Sequence, residues 1–398
     1  MAETRTVTAH VPPHSNTWQW GQDGPVIMNA NDKLRTPHGD VKSNIGKTVT
    51  DIEAMGNKSE PWSSWQKRNN IDTSKQIKLV KLAHMRYQHP DIAKITVFLK
   101  DFGMQVAQQS EDGAKVWFCG YGPDQYVYYA QKGAEKRFLG GTFEVESMAD
   151  LEEASRLPSA SKIEEMTEAP GEGHIITLQD PEGFLINLMY GQTPAPKGDL
   201  PQKVILNDET DKPRVRKFNR FTPGPAAVHK LGHYGLCVQN FDKQLEWYTR
   251  NFNLAPTDFL YVPLSNADGK DADGKKTKDV AVFAHIDRGA DPVDHHTFFM
   301  STNPTSHVHH CSFEVHDYDT QQLGHQWLDK KGYTSVWGIG RHILGSQIFD
   351  YWWDPTGNMI EHYADGDLVN EDTPVGWGMA GDESLAVWGP DVPKWFLE

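Results

Sequence analysis

Two stretches of the chain repeat one ordering of apolar and polar positions. VKLAHMRYQHPDIAKITVFLKDFGM, from Val80, and HKLGHYGLCVQNFDKQLEWYTRNFNL, from His229, each read as a strand, a break and an amphipathic helix. After Asn240, Phe241, Leu245, Tyr248 and Phe252 recur at spacings of four, three and four, which is one apolar helix face. Further along, GTFEVESMADLEEASRL matches HCSFEVHDYDTQQLGHQWL, again strand then helix. Both regions close alike, HIITLQDPEGFLINLMYG against SQIFDYWWDPTGNMIEHYADG, where a DP-x-G turn joins two strands into a hairpin.

Each region thus holds two strand–helix–strand units. The natural way to bury them is with the helices on one side of a curved sheet, which leaves a concave cup on the other. The repeat divides the chain into an irregular arm (1–75), a first module (76–192), a Pro- and charge-rich linker (193–228), a second module (229–366) and a tail (367–398). In the arm, Trp18, Trp20, Trp62 and Trp65 are expected to pack over the body. The segment Asn266–Asp279 contains DADG but lacks the downstream Glu of a calcium loop, so a solvated hairpin tip is expected there.

Composition narrows the function classes. With 398 residues, 38% of them hydrophobic, the chain can fill two or three domain cores. A net charge of −15 opposes binding to nucleic acid or to an anionic membrane surface. No apolar run approaches a membrane span and the first residues lack a signal-peptide core, so a soluble, cytoplasmic protein is expected. Cys119, Cys237 and Cys311, odd in number and widely spaced, are expected to be reduced and to serve packing.

The candidate chemistry centres on DHHTFFMSTNPTSHVHHCSFEVHD, which carries six of the chain's 18 histidines. If HVHHCSFEV is a strand, His310 and Ser312 face the cup, while His309, Cys311, Phe313 and Val315 face the helices. By the same alternation His233 of LGHYGLCV faces the cup, and Glu361 of NMIEHY can reach the same space. Two histidines and one carboxylate from three strands form a facial triad suited to non-haem Fe(II), with coordination positions left open. In the first module Asn187 stands opposite Glu361 and Gly140 opposite His310, so only His84, opposite His233, remains and is expected to be structural.

At these residues the sequence resembles the two-domain extradiol ring-cleaving dioxygenases of the vicinal oxygen chelate superfamily, over about residues 77–370. Gly232-His233, the latter histidine of His309-His310, and Glu361 after the DP-x-G hairpin match the family's metal ligands. His296, fourteen residues before His310, matches the acid–base histidine. Gly340-Arg341-His342 and Tyr351, ten residues before Glu361, match two further motifs. Leu344, Gly345, Trp337 and the N-terminal arm depart from the family pattern.

The resemblance implies an α+β fold of paired βαβββ modules forming curved open barrels. It also implies Fe(II), with Mn(II) accepted by the same donors, held by His233, His310 and Glu361. The substrate would be a catechol cleaved with O2 to a ring-opened semialdehyde or keto acid, by a homo-oligomer. His296 would serve as acid and base, and Tyr351 and His342 would hydrogen-bond the reacting oxygens. His309 is expected to face away from the metal and orient a neighbour. Trp337 at a place where an Arg could pair a carboxylate, aromatic residues at 298, 299, 352 and 353, and the negative charge point to an uncharged catechol. Other readings within reach are a 4-hydroxyphenylpyruvate dioxygenase-like enzyme, a glyoxalase-like enzyme with more carboxylate ligands, and a metal-free aromatic-binding protein.

Overall fold

A computed structural model describes residues 57–196, 200–264 and 276–396. Trp18, Trp20 and most of the segment Asn266–Asp279 lie outside the described residues. The alternating segments form two large sheets. In the first module Leu79–His89 runs antiparallel to Arg137–Val145, with Tyr128–Lys132 and Leu185–Tyr190 parallel on the two flanks. In the second, Val228–Val238 runs antiparallel to His307–Val315, flanked in parallel by Phe298–Thr302 and Met359–Ala364. Each module is therefore two βαβββ units joined along a central antiparallel pair, in sheets of 8 and 11 strands. This is the α+β architecture that the repeat predicts.

The helices begin where a short polar side chain can satisfy an unpaired amide. Asp91, Asn240 and Asp317 accept from the backbone N–H of Lys94, Lys243 and Thr320 and so open Ile92–Asp101, Phe241–Asn251 and Tyr318–Lys330. Phe241, Tyr248 and Phe252 are buried, as their spacing requires. The two DP-x-G turns are held alike: Asp180 Oδ1 accepts from Glu182 and Phe184, and Asp354 Oδ1 accepts from Thr356 and Asn358. Gly183 and Gly357, at φ 88° and 81°, supply the left-handed residue that each turn needs.

The modules interlock through these features. Asp180 of the first accepts from Gln244 and Tyr248 of the second, and Asp101 accepts from Trp327 and Tyr333. Trp62 and Trp65 are buried and stacked at 5.3 Å, with Trp65 against Phe259. Residues 367–396, set apart as a tail in the sequence, are built into the second module. Val375–Met379 pairs with Lys58–Glu60 and Leu254–Pro263, and Ala386–Trp388 pairs with Ser335–His342. Their strands are too short, and their partners too distant, for the local pattern to reveal them. Cys119, Cys237 and Cys311 are free, the last two buried. No helix among the described residues is long and apolar enough to cross a membrane.

Candidate functional site

Strand register brings three donors together. Ser312 pairs with His233 on one side and with Glu361 on the other, and His310 lies two residues earlier on the same strand. His233 Nε2 stands 3.1 Å from His310 Nε2 and 3.2 Å from Glu361 Oε2, and His310 Nε2 is 3.6 Å from the same oxygen. All three residues are buried, and neither carboxylate oxygen of Glu361 has a hydrogen-bond partner. A buried carboxylate without hydrogen bonds is costly unless a cation meets it. Donors bound at about 2.1 Å and at right angles to one another stand about 3 Å apart, so this triangle fits a first-row divalent ion with open positions. Among the described residues it is the cluster of at least three His, Cys, Asp or Glu donors that could hold such an ion.

The first module shows the same register with one donor residue of the three. Thr142 pairs with His84 and with Asn187, as Ser312 does with His233 and Glu361. His84 is fully buried with neither ring nitrogen hydrogen-bonded, against the Tyr126 ring at 4.3 Å.

His296 lies beside the triad, its ring centroid 4.1 Å from that of His233. Burial, reinforced by the neighbouring histidines, holds its imidazole well below the usual range, which favours a neutral ring. His296 Nδ1 is 3.1 Å from His295 Nδ1, and His295 Nε2 is 2.8 Å from Asp258 Oδ2. The carboxylate can only accept, so a neutral His295 ring donates from Nε2 and presents a bare Nδ1. His296 must then donate from Nδ1, and its Nε2 lone pair is left for the cavity. Asp258 was not singled out in the sequence. Its strand carries a register shift between Pro256 and Asp258, which simple alternation does not anticipate.

Tyr351 lies opposite Glu361 on the neighbouring strand. Burial and the Glu361 charge push its phenol well above the ordinary range, so it stays protonated. Its hydroxyl is 2.9 Å from His342 Nε2, while His342 Nδ1 is 2.8 Å from the Leu385 carbonyl. Arg341 of the same motif points elsewhere, to the Ser346 carbonyl and Asp365. Gly345, where the family pattern tends to polar residues, makes room for the relay: a Cβ there would come within 3.0 Å of His295 Nδ1.

The expectation that His309 faces away is corrected. Gly235 pairs with His310 and Leu236 with Val308, so His309 is the extra residue of a β-bulge. The bulge breaks the alternation and turns His309 to the cavity side. There its Nδ1 is 2.6 Å from His310 Nδ1 and its Nε2 is 2.8 Å from the Phe396 carbonyl.

The triad opens on a cavity of about 370 Å³ lined by His296, Phe299, Leu260, Phe283, Leu344 and Leu385, among others. Among the described residues no Lys or Arg lines it. Of the aromatic residues at 298, 299, 352 and 353, Phe299 does. Phe298 packs on Tyr234 and Tyr248, and Trp352 is in the core beside His325. Trp353 packs behind the cavity, and Trp337 is buried against Phe349 and Phe396. His307 bonds back to the Thr305 carbonyl.

The fold is the two-module vicinal oxygen chelate fold, with a three-donor centre that could hold a metal ion. Residues 230–362 match the family model described as the Glyoxalase/Bleomycin resistance protein/Dioxygenase superfamily. The chain is 27% identical over 323 residues to Metapyrocatechase 2 of Cupriavidus necator, covering 79% of this chain and 90% of that one. It is 24% identical to the biphenyl-2,3-diol 1,2-dioxygenase of Paraburkholderia xenovorans, over 77% of this chain and 94% of that one. Among solved structures, the Mn(II)-bound glyoxalase from Novosphingobium aromaticivorans superposes with a TM-score of 0.63 at 18% identity, covering 80% of this chain and 94% of that one, which speaks for the fold alone. Residues 230–362 thus match a vicinal-oxygen-chelate-type domain, and over more than three quarters of its length the chain is similar to extradiol ring-cleaving dioxygenases.

Proposed function

We propose that this protein is a non-haem Fe(II)-dependent extradiol dioxygenase, opening the ring of a catechol with both atoms of O2 to give a semialdehyde or keto acid. The observation that carries the reading is the buried triangle of His233, His310 and Glu361, with a carboxylate that no hydrogen bond compensates. A divalent ion held there supplies one binding point for both catechol oxygens and for O2, and an electronic connection between them. Iron is preferred over manganese on the family's usage, since the donors accept either.

The protein's own groups then handle protons and orientation. His296 Nε2, bare and facing the cavity, takes the proton of a catechol hydroxyl and returns one as the O–O bond breaks. The Tyr351 hydroxyl donates to His342 Nε2 in the free site and can swing that donation to a substrate oxygen. The apolar walls exclude water from the reacting atoms.

With no Lys or Arg among the described residues lining the cavity, none of them offers a carboxylated catechol a partner, whereas Phe299, Phe283 and Leu260 can cover an alkyl or aryl substituent. The biphenyl-2,3-diol named for one relative is of this uncharged kind. A homo-oligomer is further proposed. The exposed linker 200–221 carries six basic and three acidic residues on a chain of net charge −15, and Leu206, Val215 and Phe218 are exposed within it, so it suits the acidic body of a second copy. Sedimentation reads this, and a monomer at low and physiological salt rejects it.

The competing readings fit less well. The donor cluster contains one carboxylate, where a glyoxalase-like enzyme calls for more. The described part of the C-terminal segment ends in short 3₁₀ turns, without the helix expected of a 4-hydroxyphenylpyruvate dioxygenase. A metal-free binding protein gains nothing from burying Glu361 uncompensated. The test is anaerobic loading with Fe(II), then a panel of catechols scored by O2 consumption and yellow product. Metal uptake without O2 consumption on any catechol would reject the proposal.

A further inference from the structure

We infer that the C-terminal segment 385–396 is a positioning element of the site, fixing through two main-chain carbonyls which ring nitrogens of His342, His309 and, through His309, His310 carry protons. The inference rests on the proposal that His310 is a metal ligand.

A carbonyl oxygen only accepts. The Phe396 carbonyl, 2.8 Å from His309 Nε2, therefore requires His309 to carry its proton there, and the neutral ring presents a bare Nδ1. That Nδ1 lies 2.6 Å from His310 Nδ1, so His310 must donate from Nδ1. The Nε2 of His310 is then unprotonated, and it is this atom that faces His233 and Glu361. The bulge at His309 makes the relay possible, since without it the two rings would lie on opposite faces of the strand.

The Leu385 carbonyl does the same for His342. At 2.8 Å from Nδ1 it fixes the proton there and leaves Nε2 to accept from Tyr351. The segment is held against the module by the Trp337 indole donating to the Pro390 carbonyl and by pairing of Ala386–Trp388 with Arg341 and His342. The Phe396 ring packs on His309 and Tyr351, each at 4.9 Å. Because Leu385 and Phe396 also line the cavity, loss of the segment would open the cavity and release both tautomers together.

Apolar packing alone would account for the Phe396 ring but not for its carbonyl aimed at a ring nitrogen. The two roles separate in metal affinity, read by anaerobic Fe(II) titration of the full chain, a chain ending at Pro393, His309→Phe, the two changes combined, and His310→Ala. Partners that orient a metal-bound histidine are typically worth about 10- to 100-fold in affinity. The shortened chain and His309→Phe should each weaken Fe(II) binding by that order. The combination should be no weaker than His309→Phe alone, because both act through one chain of hydrogen bonds. His309→Asn, with an amide oxygen near the position of Nδ1, should recover part of the loss. If the shortened chain does not fold, as read by thermal unfolding, His309→Phe and His309→Asn decide the matter. Wild-type affinity in a folded shortened chain or in His309→Phe, with affinity lost in His310→Ala, overturns the inference. Full affinity in His310→Ala overturns instead the ligand assignment on which it rests.

Discussion

Replacing Asp258 by Asn tests the proton relay behind His296 while leaving the donors of the triad untouched. In the native site Asp258 Oδ2 accepts from His295 Nε2, and Oδ1 is buried without a hydrogen-bond partner. An asparagine has two ways to sit there. With its oxygen toward His295 the tautomers are preserved, but the NH2 group takes the place of Oδ1 and leaves buried N–H groups unpaired, at about 1–3 kcal/mol. With its NH2 toward His295 that cost is avoided, but His295 must accept at Nε2 and carry its proton on Nδ1. His296 is then forced to accept at Nδ1 and to present N–H to the cavity, the wrong form for a base. The productive arrangement is thus disfavoured by about 1–3 kcal/mol, or roughly 5- to 150-fold in rate. Removing His296 itself, as His296→Asn, sets the ceiling at about 10²–10⁴-fold, the usual worth of a general acid–base group. The assay is O2 consumption with a saturating catechol, alongside iron content. Asp258→Asn should keep its iron and lose kcat between these bounds, with little change in catechol affinity measured without O2. Turnover at the wild-type rate, or a loss explained by missing iron, would refute the relay.

Glu361→Ala removes the charged donor and should abolish iron retention and turnover together, read by metal analysis and O2 uptake. One ion per chain is expected, with His84→Ala leaving the metal content unchanged; two ions per chain would place a second site in the first module. Alkyl- or aryl-catechols should exceed protocatechuate-type acids in kcat/KM, and a tenfold preference for a carboxylated catechol would reverse the reading of the cavity. Acid should destabilise the fold through His285, which burial lowers to about 4 from an ordinary value near 6.5. The unfolded chain takes up a proton as the pH falls through 6.5 that the folded chain refuses until about 4. This contribution is therefore complete above 6.5 and is lost between 6.5 and 4, at up to about 1.4 kcal/mol per pH unit. His285→Gln should flatten the dependence of Tm on pH in that window, and an unchanged slope would contradict it.

The parts of the site legible in the sequence are those that regular strand geometry carries. Alternation in LGHYGLCV is enough to aim His233 because pairing is regular from His233 to Gly235, between two register shifts, and the closing DP-x-G turn aims Glu361 on a strand paired regularly with Ile348–Trp353. It failed at His309, where one inserted residue turns a helix-facing position into a cavity-facing one. Asp258 was missed for a related reason, since its strand shifts register just before it. The carbonyls of Leu385 and Phe396 leave no trace in sequence at all, because every residue has one and only the fold decides where it points. Phe298 and Trp352 were drawn toward the cavity by aromatic character alone, although each occupies a core-facing place.

The first module explains why a duplicated fold keeps one centre. Gly140 stands where His310 does and adopts φ +103°, and a Cβ there would meet Asn187 Nδ2 at 2.4 Å and the Leu185 carbonyl at 2.7 Å. Asn187 has in turn committed its amide, donating to the Leu139 carbonyl and accepting from Thr177. Neither place can be returned to a ligand alone: a histidine at 140 clashes with Asn187, and a glutamate at 187 turns an acceptor toward the Leu139 carbonyl. Loss of the centre is therefore held by packing as well as by two separate substitutions. The DP-x-G turn that aims Glu361 into the donor triangle in one module serves in the other to hold Asp180 against Gln244 and Tyr248 of the module that carries the triangle. The copy without the triangle thus braces the helix Phe241–Asn251, which follows directly on the strand that carries His233.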